Sequence, residues 1–303
     1  MFAFRPPSAQ SAPVGEPPPW LRAFEETGLV LLSGAELDLT AFEAVTQQLC
    51  GQFHHVATRQ ALRQQQGDGY TTEVFRDNFI LFAHAEGSYR PYPPPPQVCF
   101  FLCVTPPTAA GGETTVIDGA AVYQHLPAPL RERLAQQGVV YECLWAPERW
   151  QAEFGVATTA ELQALMVRLP GVRWDIDAQA TLQLWYHSAA LSTCRTGQPV
   201  FATGLLAHLP QVRHPRYDGL PAYSKPTNRV YFGDGEPIGD GDVNTLIDLC
   251  DALAYAHRWQ AGELLMLDNT RYMHGRNMTA EPCPRVLVSR FGHYAPTAAA
   301  GVA

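Results

Sequence analysis

Several absences narrow the field first. No stretch of Lys and Arg is dense enough to follow a phosphate backbone, and acidic residues outnumber basic ones 29 to 21 in a chain of net charge −8. Nucleic acid is therefore not an expected partner. No run of about 18 apolar residues occurs, so no membrane-spanning helix is expected. The opening MFAFRPPSAQSAPVGEPPPW has neither the basic n-region nor the apolar h-region of a secretory leader. The seven cysteines (Cys50, Cys99, Cys103, Cys143, Cys194, Cys250 and Cys283) are odd in number, scattered, and form no CxxC pair. That argues against a disulfide framework and for small buried thiols in a reduced, cytoplasmic setting. Cys99 and Cys103, four apart in one apolar run, read as core residues on one strand face rather than as metal ligands. Internal repeats and evident internal linkers are absent as well.

What is present suits a large core, since 46% of the 303 residues are hydrophobic. Residues 1–19 read as a Pro-rich tail and residues 20–303 as a single domain. GLVLLSG (28–34) is a short apolar strand. LDLTAFEAVTQQLCGQF (37–53) repeats Leu39, Phe42, Val45 and Leu49 at helical spacing, with Asp38 or Thr40 as N-cap. VFRDNFILFAHAE (74–86) reads as a strand, and PYPPPP (91–96) as a loop, because proline donates nothing to a ladder. QVCFFLCVTPP and GGETTVIDG supply further strands, and Asp118 caps a helix over AAVYQHL. Helices are expected near 128–136 and 158–168, strands near 138–144 and 182–187, and an amphipathic helix over 243–259 with Leu246, Leu249, Leu253 and Ala256 as its stripe. GELLMLDNT and PRVLVSRFGHY are late buried strands. The whole is mainly β with flanking helices, an α+β chain that suits a jelly roll or β-barrel.

Two polar clusters interrupt the apolar runs. His84 and Glu86 stand two apart inside ILFAHAEGSY, where burial is costly unless each finds a partner. On a strand, residues i and i+2 share a face, so both reach one point inside a barrel. His274 follows the buried LLMLDN strand. Two imidazoles and a carboxylate form the facial ligand set of a non-haem Fe(II), with three positions left open. An iron of this kind activates O2 with electrons from a 2-oxo acid, and the distal carboxylate of 2-oxoglutarate needs a cation. Arg285, eleven residues after His274, has the planar fork for bidentate binding, and Thr114 in GGET offers a hydroxyl. Each residue has a blander reading: a satisfied core histidine for His84, a rim ion pair with Arg90 for Glu86, a loop residue for His274, a surface arginine for Arg285. Thr115 competes with Thr114 for the inward position. Asp268 and Asn269 read as turn-shaping residues. His54, His55, His125, His187, His208, His214, His257 and His293 show no ligand pattern.

The order HAE (84–86), GGET (111–114), LLMLDNTRYMHGR (264–276) and Arg285 resembles the taurine dioxygenase and clavaminate synthase-like superfamily of Fe(II)/2-oxoglutarate oxygenases, over residues 25–292. Within it the chain looks most similar to the bacterial amino-acid and natural-product hydroxylase branch. The resemblance implies a double-stranded β-helix, cupin-like core and Fe(II) on His84, Glu86 and His274. It also implies 2-oxoglutarate held by Thr114 and Arg285, with O2 as oxidant. A variable lid would span about residues 145–225, where Trp145, Trp150, Trp174 and Trp185 read as packing rather than pocket lining.

The implied reaction is hydroxylation of an unactivated C–H of a small molecule, an amino acid (free or tethered to a carrier protein) or a biosynthetic intermediate. Desaturation and ring closure would draw on the same centre. Relatives that bind anionic substrates carry a second arginine four residues after the first. Here that position is Ser289, with Arg290 one further and on the opposite strand face, so a sulfonate is not the expected substrate. Both residues remain candidates for substrate contact. Relatives that halogenate have a small residue where Glu86 stands. Two readings from other classes remain: a non-catalytic metal- or ligand-binding barrel, and a Zn(II) hydrolase or isomerase.

Overall fold

Both faces of the strand Val98–Thr105 are buried, and this explains its unbroken apolar run. Cys99, Phe101 and Cys103 face inward with Leu31, Leu265, Leu267 and Val116, while Val98, Phe100 and Leu102 face outward against Phe24, Phe42 and Leu49. The structure is a computed structural model and describes residues 18–34, 37–54, 65–74, 78–209, 214–221, 228–280 and 284–296. Residues 1–17 of the expected tail, His55 and Cys283 lie outside the described residues.

Antiparallel pairing builds a seven-stranded sheet in the order Leu29–Leu32, Leu264–Asp268, Val98–Thr105, Val286–Tyr294, Thr71–Glu73, Gln65–Gln66, with Cys50–Phe53 also on Val286–Tyr294. Opposite it stands a four-stranded sheet in the order Tyr255–His257, Thr114–Asp118, Tyr272–Arg276, Leu81–His84. Residues of both sheets meet in one core cluster containing Cys99, Phe101, Val116, Trp259, Leu267, Tyr272 and Phe291. Each Leu or Phe buried there contributes about 1.5–3 kcal/mol. The hairpin from Leu264–Asp268 to Tyr272–Arg276 crosses between the sheets, its first strand paired in the larger and its second in the smaller.

Helices cover the outer faces. Helix Leu39–Leu49 packs on the larger sheet, and Asp38 Oδ1 accepts the Ala41 N–H at 2.8 Å, so Asp38 rather than Thr40 is the cap. Asp118 caps Gly119–His125 through the Ala120 N–H at 2.9 Å. Helices Ala128–Gln137, Thr159–Met166 and Asp240–Leu253 surround the smaller sheet and a further four-stranded sheet, ordered Asn228–Phe232, Val139–Trp145, Leu182–Ser188, Val172–Ile176. Trp145 and Trp150 are buried in that cluster. This antiparallel arrangement with helical flanks is an α+β fold.

Three elements depart from expectation. Helix Pro19–Thr27 starts inside the presumed tail, with proline at its first position, where a missing N–H costs nothing. The expected helix over 243–259 spans Asp240–Leu253, and Tyr255–His257 instead pairs with Thr114–Val116: a ladder overrides the helical stripe. The strand expected to run to Glu86 ends at His84. The six described cysteines are free and buried, and no helix among the described residues is long and apolar enough to cross a membrane.

Candidate metal centre and cosubstrate pocket

Strand pairing sets His84 directly opposite His274, with ring centroids 4.3 Å apart. Glu86, in the turn after the strand, brings its Oε2 to 3.7 Å from His84 Nε2. One ligand atom from each of His84, Glu86 and His274 lies within 4.8 Å of the other two. His84 Nδ1 lies 3.0 Å from the Phe82 carbonyl, which only accepts, so Nδ1 carries the proton and donates it. Nε2 is the ring nitrogen turned toward Glu86, the one placed to ligate a metal. Phe101 packs against the His274 ring with centroids 5.0 Å apart, giving the site an apolar wall. Two imidazoles and one carboxylate converging at the end of a narrow cavity fit a divalent transition metal.

That cavity, of about 50 Å³, is lined by all three residues together with Thr114, Arg285, Arg276 and Ser289 and by Phe101, Leu287 and Phe291. Thr114 stands on an inner strand of the smaller sheet, and its Oγ1 accepts the Trp259 indole N–H at 2.9 Å. The threonine hydroxyl is therefore left to act as a donor. Trp259 is itself held edge-on against His257, whose Nε2 meets Glu263 Oε2 at 3.0 Å. Burial holds the His257 imidazole below its ordinary value even with that carboxylate beside it.

Arg285 is buried just ahead of strand Val286–Tyr294. Burial pushes the Cys103 thiol up to about 12, with the nearby Arg285 charge opposing the rise, so Cys103 is an inert neutral neighbour. The GG of GGET brings this corner together. Gly111 has φ +89°, and a Cβ there would sit 2.0 Å from the Met278 carbonyl oxygen, so only glycine lets the loop bridge to Thr279.

Ser289 and Arg290 part company. Ser289 is buried and faces the metal cavity, with its Oγ 3.5 Å from the Thr72 carbonyl. Arg290 points to the opposite face, where its Nη1 lies 2.9 Å from Asp68 Oδ2 and 3.6 Å from Glu43 Oε1 and its guanidinium covers Phe53 at 4.1 Å. It lines a separate cavity with His54 and His293, so as a candidate for substrate contact at the metal it is corrected: strand alternation turns it away. Asp118 does more than cap, since it forms a two-point ion pair with Arg271 at 3.0 and 2.7 Å.

Two residues in or beside the pocket were not singled out from the sequence. Trp259 could be found only from its place before the GELLMLDN strand. Arg276, buried with its Nη2 on the Phe79 carbonyl at 3.1 Å, shares a strand face with His274 by i, i+2 spacing, and that spacing is legible.

The family described as "Taurine catabolism dioxygenase TauD, TfdA family" matches residues 15–290. No curated protein matches the sequence. Among solved structures, PvcB from Pseudomonas aeruginosa is similar at 18% identity and TM-score 0.51, covering 91% of this chain and 79% of that chain. A Burkholderia xenovorans protein assigned as an alpha-ketoglutarate dependent 2,4-D dioxygenase is 18% identical, with 93% and 91% covered and TM-score 0.51. Another from Burkholderia xenovorans, assigned as an alpha-ketoglutarate-dependent taurine dioxygenase, is 14% identical, with 91% and 82% covered and TM-score 0.55. At such identities these likenesses speak to the fold.

Proposed function

The chain belongs to the taurine catabolism dioxygenase TauD, TfdA family of Fe(II)- and 2-oxoglutarate-dependent dioxygenases, and from that premise we propose that it hydroxylates an unactivated C–H bond of a small molecule. The substrate class is an amino acid, free or carrier-tethered, or a natural-product intermediate. His84, Glu86 and His274 would hold Fe(II). The observation that carries this reading is the convergence of their ligand atoms within 4.8 Å of one another, at a cavity that also contains Arg285 and Thr114. The bound metal supplies activation of O2 at the expense of 2-oxoglutarate, which leaves as succinate and CO2.

The chain's own work is binding, orientation and exclusion of water. Arg285 binds the distal carboxylate of 2-oxoglutarate with its fork, and the Thr114 hydroxyl donates to the same group. The Trp259 N–H occupies Thr114 Oγ1, fixing the direction of that donor. Phe101, Leu287 and Phe291 keep the cavity walls apolar. Ser289, small and neutral, leaves room over the metal without a charge for a sulfonate. Glu86 would supply a carboxylate ligand where halogenating relatives carry a small residue, which favours hydroxylation. The seven- and four-stranded sheets are read as the two walls of a double-stranded β-helix, and residues 20–303 as one oxygenase domain with its lid in 145–225.

The test is succinate release from Fe(II), 2-oxoglutarate and O2 with a panel of amino acids and carrier-bound aminoacyl groups. A product heavier by one oxygen atom, formed in step with succinate, is the expected outcome. Folded protein with no Fe(II)-dependent turnover of 2-oxoglutarate would overturn the assignment.

A further inference from the structure

Strand pairing does not hold Glu86. The ladder that sets His84 opposite His274 stops at His84, and residues 86–89 form a turn in which Gly87 has φ +74°. A ligand carried on a turn needs another source of rigidity, because a metal site tolerates misplacement of only about 0.5 Å. The side chain of Asn269 supplies it from 183 residues away in sequence. Its Oδ1 accepts the Glu86 backbone N–H at 2.7 Å, and its Nδ2 donates to the Glu86 carbonyl at 3.0 Å and to the Pro96 carbonyl at 2.8 Å. Chemistry fixes the orientation of this amide: one partner is a donor and two are acceptors, so only one flip satisfies all three.

Asn269 is in turn held firmly. It sits in the turn joining Leu264–Asp268 to Tyr272–Arg276, and its own N–H donates to the Gln97 carbonyl at 2.8 Å. Asp268 locks that turn, accepting the Thr270 N–H and hydroxyl on Oδ1 at 2.9 and 2.6 Å and Arg195 Nε on Oδ2 at 3.1 Å. The same hairpin carries His274 five residues on.

We propose that Asn269 is a positioning residue for the metal centre. By gripping the Glu86 backbone at both its N–H and its C=O, it sets the direction of the carboxylate and ties it to the hairpin that bears His274. It touches neither metal nor substrate. The inference rests on the reading of His84, Glu86 and His274 as the ligand set.

The test uses the full chain and four variants, one of them His274→Ala, which removes a proposed ligand. Asn269→Ala removes the grip. Asn269→Asp keeps the shape and the acceptor but turns a carboxylate toward two carbonyls. Leu246→Ala, in the buried core of helix Asp240–Leu253, controls for lost stability alone. Mn(II) affinity is measured by calorimetric titration, site geometry by the visible spectrum of bound Co(II), and stability by melting in chelator. Loss of a ligand-orienting partner typically costs about 10–100-fold in metal affinity, and that loss is expected for Asn269→Ala and Asn269→Asp, with an altered Co(II) spectrum. Leu246→Ala is expected to melt lower yet keep wild-type affinity and spectrum. If Asn269→Ala does not fold, the comparison stands on Asn269→Asp. A folded Asn269 variant with wild-type Mn(II) affinity and Co(II) spectrum overturns the positioning role alone, as does a Leu246→Ala loss of equal size. A wild-type chain with no Mn(II) binding that His274→Ala abolishes would bring down the ligand set, and this proposal with it.

Discussion

Arg285→Ala removes the cation proposed to hold the distal carboxylate of 2-oxoglutarate and leaves the three proposed metal ligands untouched. Arg285 is 5% exposed, so its pairing with a dicarboxylate is shielded from water and weakly screened by salt. Two charge-assisted bonds at about 1.5–3 kcal/mol each set the scale of the loss at roughly 3–5 kcal/mol, because Thr114 retains part of the grip. At about 1.4 kcal/mol per decade, that is a weakening of 2-oxoglutarate binding by roughly two to three and a half orders of magnitude. Arg285→Lys keeps the charge but loses the fork, and an intermediate loss is expected. The assay is calorimetric titration of 2-oxoglutarate into Mn(II)-loaded protein, paired with Mn(II) titration of the apoprotein. Mn(II) affinity within about threefold of wild type is expected, since no charge is removed from the ligand set. Unchanged 2-oxoglutarate binding, or parallel loss of both affinities, would refute the division of labour between the two ends of the pocket.

Trp259→Phe deletes the indole N–H that anchors Thr114 Oγ1 while keeping most of the buried ring. One neutral hydrogen bond at about 1 kcal/mol corresponds to roughly a fivefold rise in KM for 2-oxoglutarate with kcat preserved, and steady-state kinetics separates the two. Burial holds the His257 and His293 imidazoles below their ordinary 6.5. The unfolded chain therefore takes up those protons first as pH falls. Stability from these groups is fully present above pH 6.5, declines below it, and levels off once the folded imidazoles protonate. Melting curves between pH 4 and 8 should show that decline, and His257→Asn should make it shallower, leaving the His293 part.

The spacing of His84 and Glu86 was legible, yet for a reason that holds only in part. Period-two alternation carries His84 onto the ladder, but Glu86 lies past the strand end, and Asn269 places it. That asparagine, read from local pattern as turn chemistry, serves a partner 183 residues distant. The Trp259–Thr114 and Arg276–Phe79 contacts span 145 and 197 residues, separations at which periodicity carries no signal. The helix over 243–259 failed at its end because Tyr255–His257 gains a cross-strand partner in Thr114–Val116. Arg290 turns away from the cavity that Ser289 lines, because strand parity is enforced wherever both faces of a sheet are buried.

The hairpin that crosses from one sheet to the other has a bearing on how this molecule assembles. His84 and His274 are separated by 190 positions along the chain, and their meeting requires the second strand of that hairpin to dock beside Leu81–His84. Closing so distant a contact is slow, and the proposed metal site is complete only once it has closed. On the proposed ligand set, an ion that binds only the completed site favours the folded chain by mass action, so its concentration during refolding is expected to raise the yield.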